Sequence, residues 1–496
     1  MSRSFSRALF GSIVACVALL FAFSAPSARG QMGSQGTVTV IVLDSSGAVV
    51  PGAQLTLVDT ATNSAINATT PGSGTYSFSG LNIGIYKLTV SKANFQTQVF
   101  NSVVVQGGRV TDLKALLKIG AASEEVVVTA SATPIMDTTS NAIATTIDMK
   151  QIEDLPLGGR DISQLSELAP GFSSSTADGG GTWNGLPEIA QGNNIDGVIS
   201  STNRMKFGGD TRPEVSARIE DIQEMTVQTS NLDLNQGYGQ SAMQANFVTR
   251  RGTNSFHGRA YEDFQNSALN ANSWTNDALG RPKNHLILNN FGGSIGGPVF
   301  KDKLFFFGGL SLSRQPGGFT ATNTALTAAA ASGIFTYRDG PNAGQTVNLL
   351  TQVAAPNGLP STVNQMVATE QTTVTGAEKF GTVSPDADPN LSDVTWTQTA
   401  PRKSYFPTIR LDYILSKKFR INFAWNRTYS NDLNAAQTPF PGPVFATYGA
   451  SNKFNYYTSA LGFDWTIAPT MVNEFRGGYF YNFEDYSYDA KPSLYL

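Results

Sequence analysis

The sequence predicts a mainly β chain, with a small sandwich near its N-terminus and an antiparallel transmembrane β-barrel region in its second half. Three observations carry this. Short β-rich runs separated by turn clusters fill residues 36–118. Segments that alternate apolar and polar residues recur from Phe256 onward. Charged residues make up only 14% of the 496 positions, against roughly 25% in a typical soluble domain. Gly 48, Phe 30 and Tyr 16 suit tight turns and pleated surfaces. A chain of this length is expected to form two or more domains. The net charge of -3 leaves no basic stripe for a phosphate backbone, which argues against nucleic acid as a partner.

Residues 1–30 read as a secretory signal. Arg3 and Arg7 precede an apolar run from Ala8 to Phe23, and Ala28-Arg29-Gly30 supplies small residues where a signal peptidase cuts. The run is shorter than the 18 or more residues of a spanning helix. Ile13-Val14-Ala15-Cys16 faintly matches a lipoprotein cleavage box, but the apolar run continues past Cys16, which favours simple removal. Cys16 is the one cysteine. Without it the mature chain depends on burial and backbone pairing for stability.

Residues 36–118 are punctuated by Ser45-Ser46-Gly47, Pro51-Gly52, Pro71-Gly72-Ser73-Gly74 and Asn82-Ile83-Gly84, the spacing of a β-sandwich. Val42, Asp44, Gly47, Pro51-Gly52-Ala53, Gly74-Thr75-Tyr76, Leu81 and Gly84-Ile85-Tyr86 resemble the carboxypeptidase regulatory-like domain. That resemblance implies an immunoglobulin-like module related to carbohydrate-binding folds. The chain departs from the family at Thr70-Pro71-Gly72-Ser73, where an acidic residue usually precedes the Gly-x-Tyr. A glycan-binding or docking module and a structural spacer both remain open, and no cluster of aromatics marks a sugar site.

Residues 119–130 form a linker containing "EEVVVTA". Its valines favour an extended backbone. From the residues alone the run is the last strand of the sandwich, the first strand of the next domain, or a strand offered to another molecule. Residues 131–253 then carry "IEDLPLGGRDISQLSELAPGF", predicting a short helix with Ile162, Leu165 and Leu168 on one face and a stop at Pro170-Gly171. After it come "NNIDGVIS", "RIEDIQEMTVQTSN" and "GYGQSAMQANFVTRRGTNSFHG". In this order the segments resemble the plug domain of TonB-dependent outer-membrane receptors of the Oar-like group, whose members carry a regulatory-like sandwich in front. Ala242-Met243-Gln244-Ala245 stands where the family usually has paired glycines. The resemblance implies that Glu124, Glu125, Val126, Val127, Val128, Thr129 and Ala130 are a TonB box, which adds as a strand to the energy-transducing protein TonB by β-augmentation.

From residue 254 to 496 the period is two. Ile409, Leu411, Tyr413 and Leu415 share one face with Arg410 and Asp412 opposite. After Ser416-Lys417-Lys418, Phe419, Ile421, Phe423 and Trp425 oppose Arg420, Asn422 and Asn426. Leu461, Phe463, Trp465 and Ile467, then Phe475, Tyr479, Tyr481 and Phe483, repeat the pattern across Ala468-Pro469-Thr470. "NFGGSIGG" and "LFFFGGLSLSR" form an earlier pair. The links after Gly297, Leu415 and Ile467 are short, and those from Arg314 to Tyr405 and after Arg427 are long. Short turns on one side and long loops on the other mark an outer-membrane barrel. The apolar faces of these hairpins contain no Arg or Lys. About seven such strands are present, against the roughly 22 of a plugged transporter barrel, so the chain is expected to be an incomplete barrel: a truncated product or one piece of a split receptor.

No catalytic chemistry is apparent. His257 and His285 stand in unrelated contexts without acidic partners at metal-ligand spacing. Gly237-Tyr238-Gly239-Gln240-Ser241-Ala242 fits a dinucleotide fingerprint, but no apolar strand precedes it and a strand rather than a helix comes after it. No nucleophile elbow or reactive thiol occurs. The expectation is a non-enzyme without cofactor or metal. The resemblance implies an outer-membrane receptor and transporter of a Gram-negative cell with a periplasmic N-terminal domain. Its partners would be TonB, outer-membrane lipid and an extracellular ligand, whether siderophore, carbohydrate or peptide. A non-transporting surface binding or adhesion protein is the alternative, using the sandwich and outer loops, and a secreted soluble β protein is a third reading.

Overall fold

The computed structural model describes residues 35–120, 125–128, 143–155, 157, 160–174, 181–186, 191–201, 213–216, 218–229, 243–278, 280, 283, 286–433, 438–445, 450–468 and 471–488. The expected signal at 1–30, with Cys16, lies outside the described residues.

Strands β1 (Gln35–Asp44), β2 (Gln54–Asp59), β3 (Ala65–Thr69), β4 (Thr75–Asn82), β5 (Gly84–Ser91), β6 (Thr97–Val105) and β7 (Val110–Leu117) build a sandwich, with β8 (Glu125–Val128) added at one edge. The two sheets run β4-β1-β7 and β3-β2-β5-β6-β8. Alternation decides the inward face. Val38, Val40 and Val42 of β1 meet Leu55 and Leu57 of β2 and Leu88 and Val90 of β5 in one buried cluster, each side chain worth roughly 1.5–3 kcal/mol of burial. Asp44 explains the first turn: its Oδ1 accepts from the amides of Ser46 and Ala48 at 2.9 and 3.0 Å, while Gly47 takes φ +86°. Tyr86 is buried, and its hydroxyl donates to the carbonyl of Asn82 at 2.8 Å, closing a tyrosine corner.

Next come β9 (Ala144–Asp148), β10 (Phe172–Ser174), β11 (Gly181–Trp183), β12 (Gln191–Ile195), β13 (Val198–Ile199), β14 (Ile222–Gln228) and β15 (Met243–Thr249). Five of them form a mixed sheet ordered β13-β12-β15-β14-β9, with β12 and β15 parallel. The helix Met149–Asp154 begins in a capping box, Asp148 accepting from the Gln151 amide at 2.9 Å and Gln151 accepting from the Asp148 amide at 3.2 Å. Residues 162–168 form a 3₁₀ helix in which Ile162 and Leu165 are core residues. The expected third member of that face, Leu168, is instead exposed, because the helix ends there and the chain turns extended at Ala169. Both faces of β15 are buried. Met243, Ala245 and Phe247 enter the apolar cluster, and Gln244 and Asn246 form a polar opposite face. The departure from paired glycines therefore leaves the packing around Met243 and Ala245 closed.

The remaining chain is a wall of seven antiparallel strands, β16 (His257–Asn266), β17 (Ile287–Phe300), β18 (Leu304–Gln315), β24 (Arg402–Ser416), β25 (Phe419–Asp432), β26 (Ala450–Ala468) and β27 (Met471–Tyr488), ordered as a meander. Between β18 and β24 the chain forms β19 (Gly318–Leu326), β20 (Ile334–Thr336), β21 (Thr346–Asn348), β22 (Thr382–Pro385) and β23 (Leu391–Thr399), together with a helix at Gln365–Glu378. This long link is a small folded unit, with Ala321, Ala325, Val394 and Trp396 as its core. The link after Arg427 is shorter than the sequence suggests. Thr428, Ser430 and Asp432 continue the inward polar face of β25, so only residues 433–449 separate it from β26. Phe423 and Trp465 are 36% and 38% exposed, so they are not buried in the protein's own core. Among the described residues no helix is long and apolar enough to cross a membrane.

Candidate functional site

The plug-like sheet lies against the inward face of the wall, and the join is made of side chains. Alternation in "TIRLDY" aims Thr408, Arg410 and Asp412 inward, and all three are buried. The Arg410 guanidinium donates to both carboxylate oxygens of Asp412 at 3.0 Å and to the carbonyl of Thr249 at 2.9 Å, and it lies 3.3 Å from Asp196. Asp196 occupies the tight turn between β12 and β13 at φ +50° and accepts from the Thr249 amide at 3.0 Å. Asn426 of β25 donates to it at 3.3 Å. A bidentate Arg between two buried carboxylates is held only while every member is paired. Close approach depends on small residues: a Cβ on Gly309 would lie 1.9 Å from Asp221 Oδ1, and one on Gly252 would lie 2.3 Å from the Phe306 carbonyl oxygen. Arg160 makes a second join, pairing with Glu220 and with Asp263 of β16 and lying 4.2 Å from the centre of the Tyr261 ring.

The sandwich sits at the end of the wall that carries the short turns. Arg251, just past β15, pairs with buried Asp59 at 2.8 Å and donates to the carbonyl of Ile83 at 3.1 Å. Gln223 donates to the same carbonyl at 3.2 Å, and the Gly107 amide donates to Glu224 at 2.7 Å. From the wall, Asp464 accepts from Gln35 at 2.8 Å, and Arg420 donates to the Gly80 carbonyl. Asn63 donates to Asp302 in the turn between β17 and β18 at 3.3 Å. The folded long link occupies the opposite end. The sandwich is therefore fastened to the five-stranded sheet and the wall together.

Burial pushes the carboxyls of Asp221 and Glu224 up to about 7. Asp221 accepts from Thr408 Oγ1 at 3.1 Å while its Oδ1 is buried without a hydrogen bond. An acid raised in the folded state contributes stability that is complete below its unfolded value and is lost as pH rises through the folded value. The urea midpoint of the five-stranded sheet is thus expected to fall between about pH 4 and pH 7, and Asp221→Asn to flatten that fall and raise the midpoint at pH 8. Denaturation of the two proteins at pH 5 and pH 8 checks this; parallel curves contradict it.

Of the residues assigned to the box by resemblance, Glu125, Val126, Val127 and Val128 form β8, paired in parallel with β6. Glu124, Thr129 and Ala130 lie outside the described residues. His257 begins β16 and is exposed, its Nδ1 3.1 Å from the Ser255 carbonyl oxygen. His285 and the Gly237–Ala242 stretch fall outside the described residues. Among the described residues no group of three metal-ligating side chains occurs. The charged joins were missed in the sequence. The one signal was Arg410 and Asp412 on the polar face of an alternating strand and Asp196 in the Asp-Gly turn of "NNIDGVIS".

Comparison with known proteins fits this geometry. Residues 248–495 match the family described as outer membrane beta barrel domain, and residues 37–118 match the carboxypeptidase regulatory-like domain. The chain is 29% identical over 269 residues to the TonB-dependent transporter Oar of Myxococcus xanthus, a match covering 52% of this chain and 24% of that protein. The chain thus spans about a quarter of the length of that curated relative. Solved structures with some likeness include a mutant of the ferric enterobactin receptor from Pseudomonas aeruginosa, at TM-score 0.38 and 12% identity over 66% of this chain and 39% of that one. The alcaligin outer membrane receptor of Bordetella pertussis matches at TM-score 0.34 and 12% identity over 70% and 48%. These relatives are named as a transporter and receptors, none as an enzyme. Since the first family match spans half of the chain, the protein belongs to the outer-membrane β-barrel family and resides in the outer membrane.

Proposed function

We infer that the chain is part of a TonB-dependent transporter, in which residues 131–253 act as a plug against the wall formed from residue 254 onward. The observation that carries this reading is the seam between them, centred on Arg410, Asp196 and Asp412. A seam of paired charges is held only while every partner is in place, and once the sheet moves off the wall water can solvate the separated charges. The similarity to a TonB-dependent transporter supports the same reading. The wall's edge strands β16 and β27 leave backbone groups that cost several kcal/mol each in hydrocarbon, so further strands, from this or another chain, complete it. The short-turn end, with the sandwich, faces the periplasm, and the long links face outward, where a siderophore, carbohydrate or peptide would first be met.

Energy enters through Glu124 to Ala130, which pairs with TonB by strand addition. The test is binding of the purified periplasmic domain of TonB to the detergent-solubilised chain with and without residues 125–128. The deletion is expected to weaken binding at least about tenfold, or about 1.4 kcal/mol. Equal binding by the two chains sinks this assignment.

A further inference from the structure

The outward face of the wall changes character toward the long links. Strand register sets its residues in rows. Phe291, Leu312, Tyr405, Tyr429, Asn455 and Phe483 make one row from β17 to β27. One step nearer the long links lies the row Arg314, Lys403, Asn431, Lys453 and Asp485. Both rows share the face of Leu411 and Phe423, because paired residues, and residues two apart on a strand, point the same way. From Tyr405 to Leu415 the strand rises roughly 33 Å, which at a tilt of about 40° covers an apolar band roughly 25 Å tall. The cationic row therefore lies just beyond hydrocarbon.

Arg314, Lys403 and Lys453 are exposed. Arg427, one row nearer the midplane than Tyr429, reaches back to the same level: its Nε donates to Asn455 Oδ1 at 2.8 Å, and its guanidinium lies 5.5 Å from the centre of the Tyr429 ring. Arg314 leans the other way, to 5.6 Å from the Phe291 ring. Four positive groups on β18, β24, β25 and β26 thus gather around one aromatic row. Inward cations of the same strands are matched instead, Arg402 with Asp432 at 2.6 Å and Arg410 with Asp412 at 3.0 Å. Among the described residues of the seven strands, the outward carboxylates are confined to the two outermost strands: Asp485 on β27, 3.8 Å from Lys453, and Glu262 on β16. On the short-turn side the lysines Lys301, Lys303, Lys417 and Lys418 occupy the turns themselves, not the outward face.

We propose that this belt binds a phosphorylated glycolipid of the outer leaflet, with Arg314, Lys403, Arg427 and Lys453 holding its phosphates. Guanidinium forks take phosphate oxygens in pairs, and the lysines add point charge. Adjacent strands lie roughly 4.8 Å apart, which sets Arg314 and Lys453 roughly 14 Å from each other, wide enough for a headgroup with two phosphates. Tyr405 and Tyr429, ring centres 6.0 Å apart, place phenols beside its sugars. Charge complementarity and the outer-membrane location select this occupant, on the reading that the long links face outward.

Lipid A, a diglucosamine lipid bearing two phosphates, is the probe. The detergent-solubilised chain is expected to bind it, and the variant Arg314→Gln/Lys403→Gln/Arg427→Gln/Lys453→Gln to bind at least about tenfold more weakly, about 1.4 kcal/mol. The variant Lys301→Gln/Lys303→Gln/Lys417→Gln/Lys418→Gln, which loses as much charge, is expected to bind as the unaltered chain does. Equal binding by the two variants, whether undiminished or equally weakened, overturns the proposal. Two arms need no variant: lipid A stripped of its phosphates, and phosphatidylglycerol, are each expected to bind the unaltered chain at least about tenfold more weakly than lipid A. Equal binding of the stripped lipid overturns phosphate recognition, and equal binding of phosphatidylglycerol overturns the glycolipid as occupant. Orientation is read separately from Asn342→Cys, an exposed site between β20 and β21, which an impermeant maleimide is expected to label in intact cells where it leaves the unaltered chain unlabelled. Without that labelling the outward reading of the long links falls, and the outer leaflet with it; labelling together with equal binding by the two variants overturns the proposal alone.

Discussion

Replacing Arg410 with methionine is expected to destabilise the plug–wall seam by about 3–5 kcal/mol, because it strands two buried carboxylates rather than merely deleting a pair. Asp196 and Asp412 are each 8% exposed, too little for water to take the place of the guanidinium. Methionine approximates the aliphatic stem, so lost packing contributes little. The expected reading is a lower urea midpoint for the plug, monitored by the red shift of buried Trp183, whose indole donates to Gln191 at 3.1 Å. Adding Asp196→Asn and Asp412→Asn to the methionine variant is expected to recover most of the loss, since no buried charge is then left alone. An unchanged midpoint in the single variant means that the seam is not held by this network.

The second large effect is expected at Arg251. Its partner Asp59 is 3% exposed and belongs to the sandwich, while Arg251 lies just after β15. Arg251→Met leaves that carboxylate buried and unpaired and removes a donor from the Ile83 carbonyl, again at a cost of about 3–5 kcal/mol. The cost falls on docking, because the sandwich keeps its own core of Val38, Leu57, Leu88 and their neighbours. Calorimetry is therefore expected to show the sandwich melting as a separate, earlier transition. Asp59→Asn in the same chain is expected to bring the transitions back together. A single coincident transition in Arg251→Met shows that the remaining contacts of Gln35, Gln223 and Arg420 suffice for docking.

How much of this was legible in the sequence depends on the pattern each element obeys. The strands β24 and β25 were legible because "IRLDYIL" and "FRINFAWNR" have one apolar and one polar face, and the structure puts Leu411 outside and Arg410 inside. The sandwich was legible from its turns, where Asp44 and Gly47 each have one conformational task. The sheet in the long link was not: "LSDVTWTQT" alternates, but its inward residues are only Val394, Trp396 and Gln398 in a Thr-rich context. The partner of β8 was beyond reach for a different reason. Three valines in a row lack the alternation that identifies a buried face, so they specify an extended strand without saying which edge it meets. The seam at Arg410 was half visible. Its inward aim comes from the period of two, whereas its meeting with Asp196, far away in sequence and at φ +50°, depends on tertiary docking.

The central claim is that the apolar outer face of β24–β27 contacts hydrocarbon, and a nitroxide scan tests it most directly. Single cysteines placed at Leu411, Phe423 and Leu461, and at the alternate inward positions Asn422 and Gly462, would carry the label in the chain reconstituted into bilayers. The account predicts that labels at the first three sites collide readily with oxygen and poorly with a water-soluble nickel chelate, with the preference lost at the inward pair. Contact of the first three labels with nickel, or shielding of them from both reagents, contradicts a lipid-facing wall.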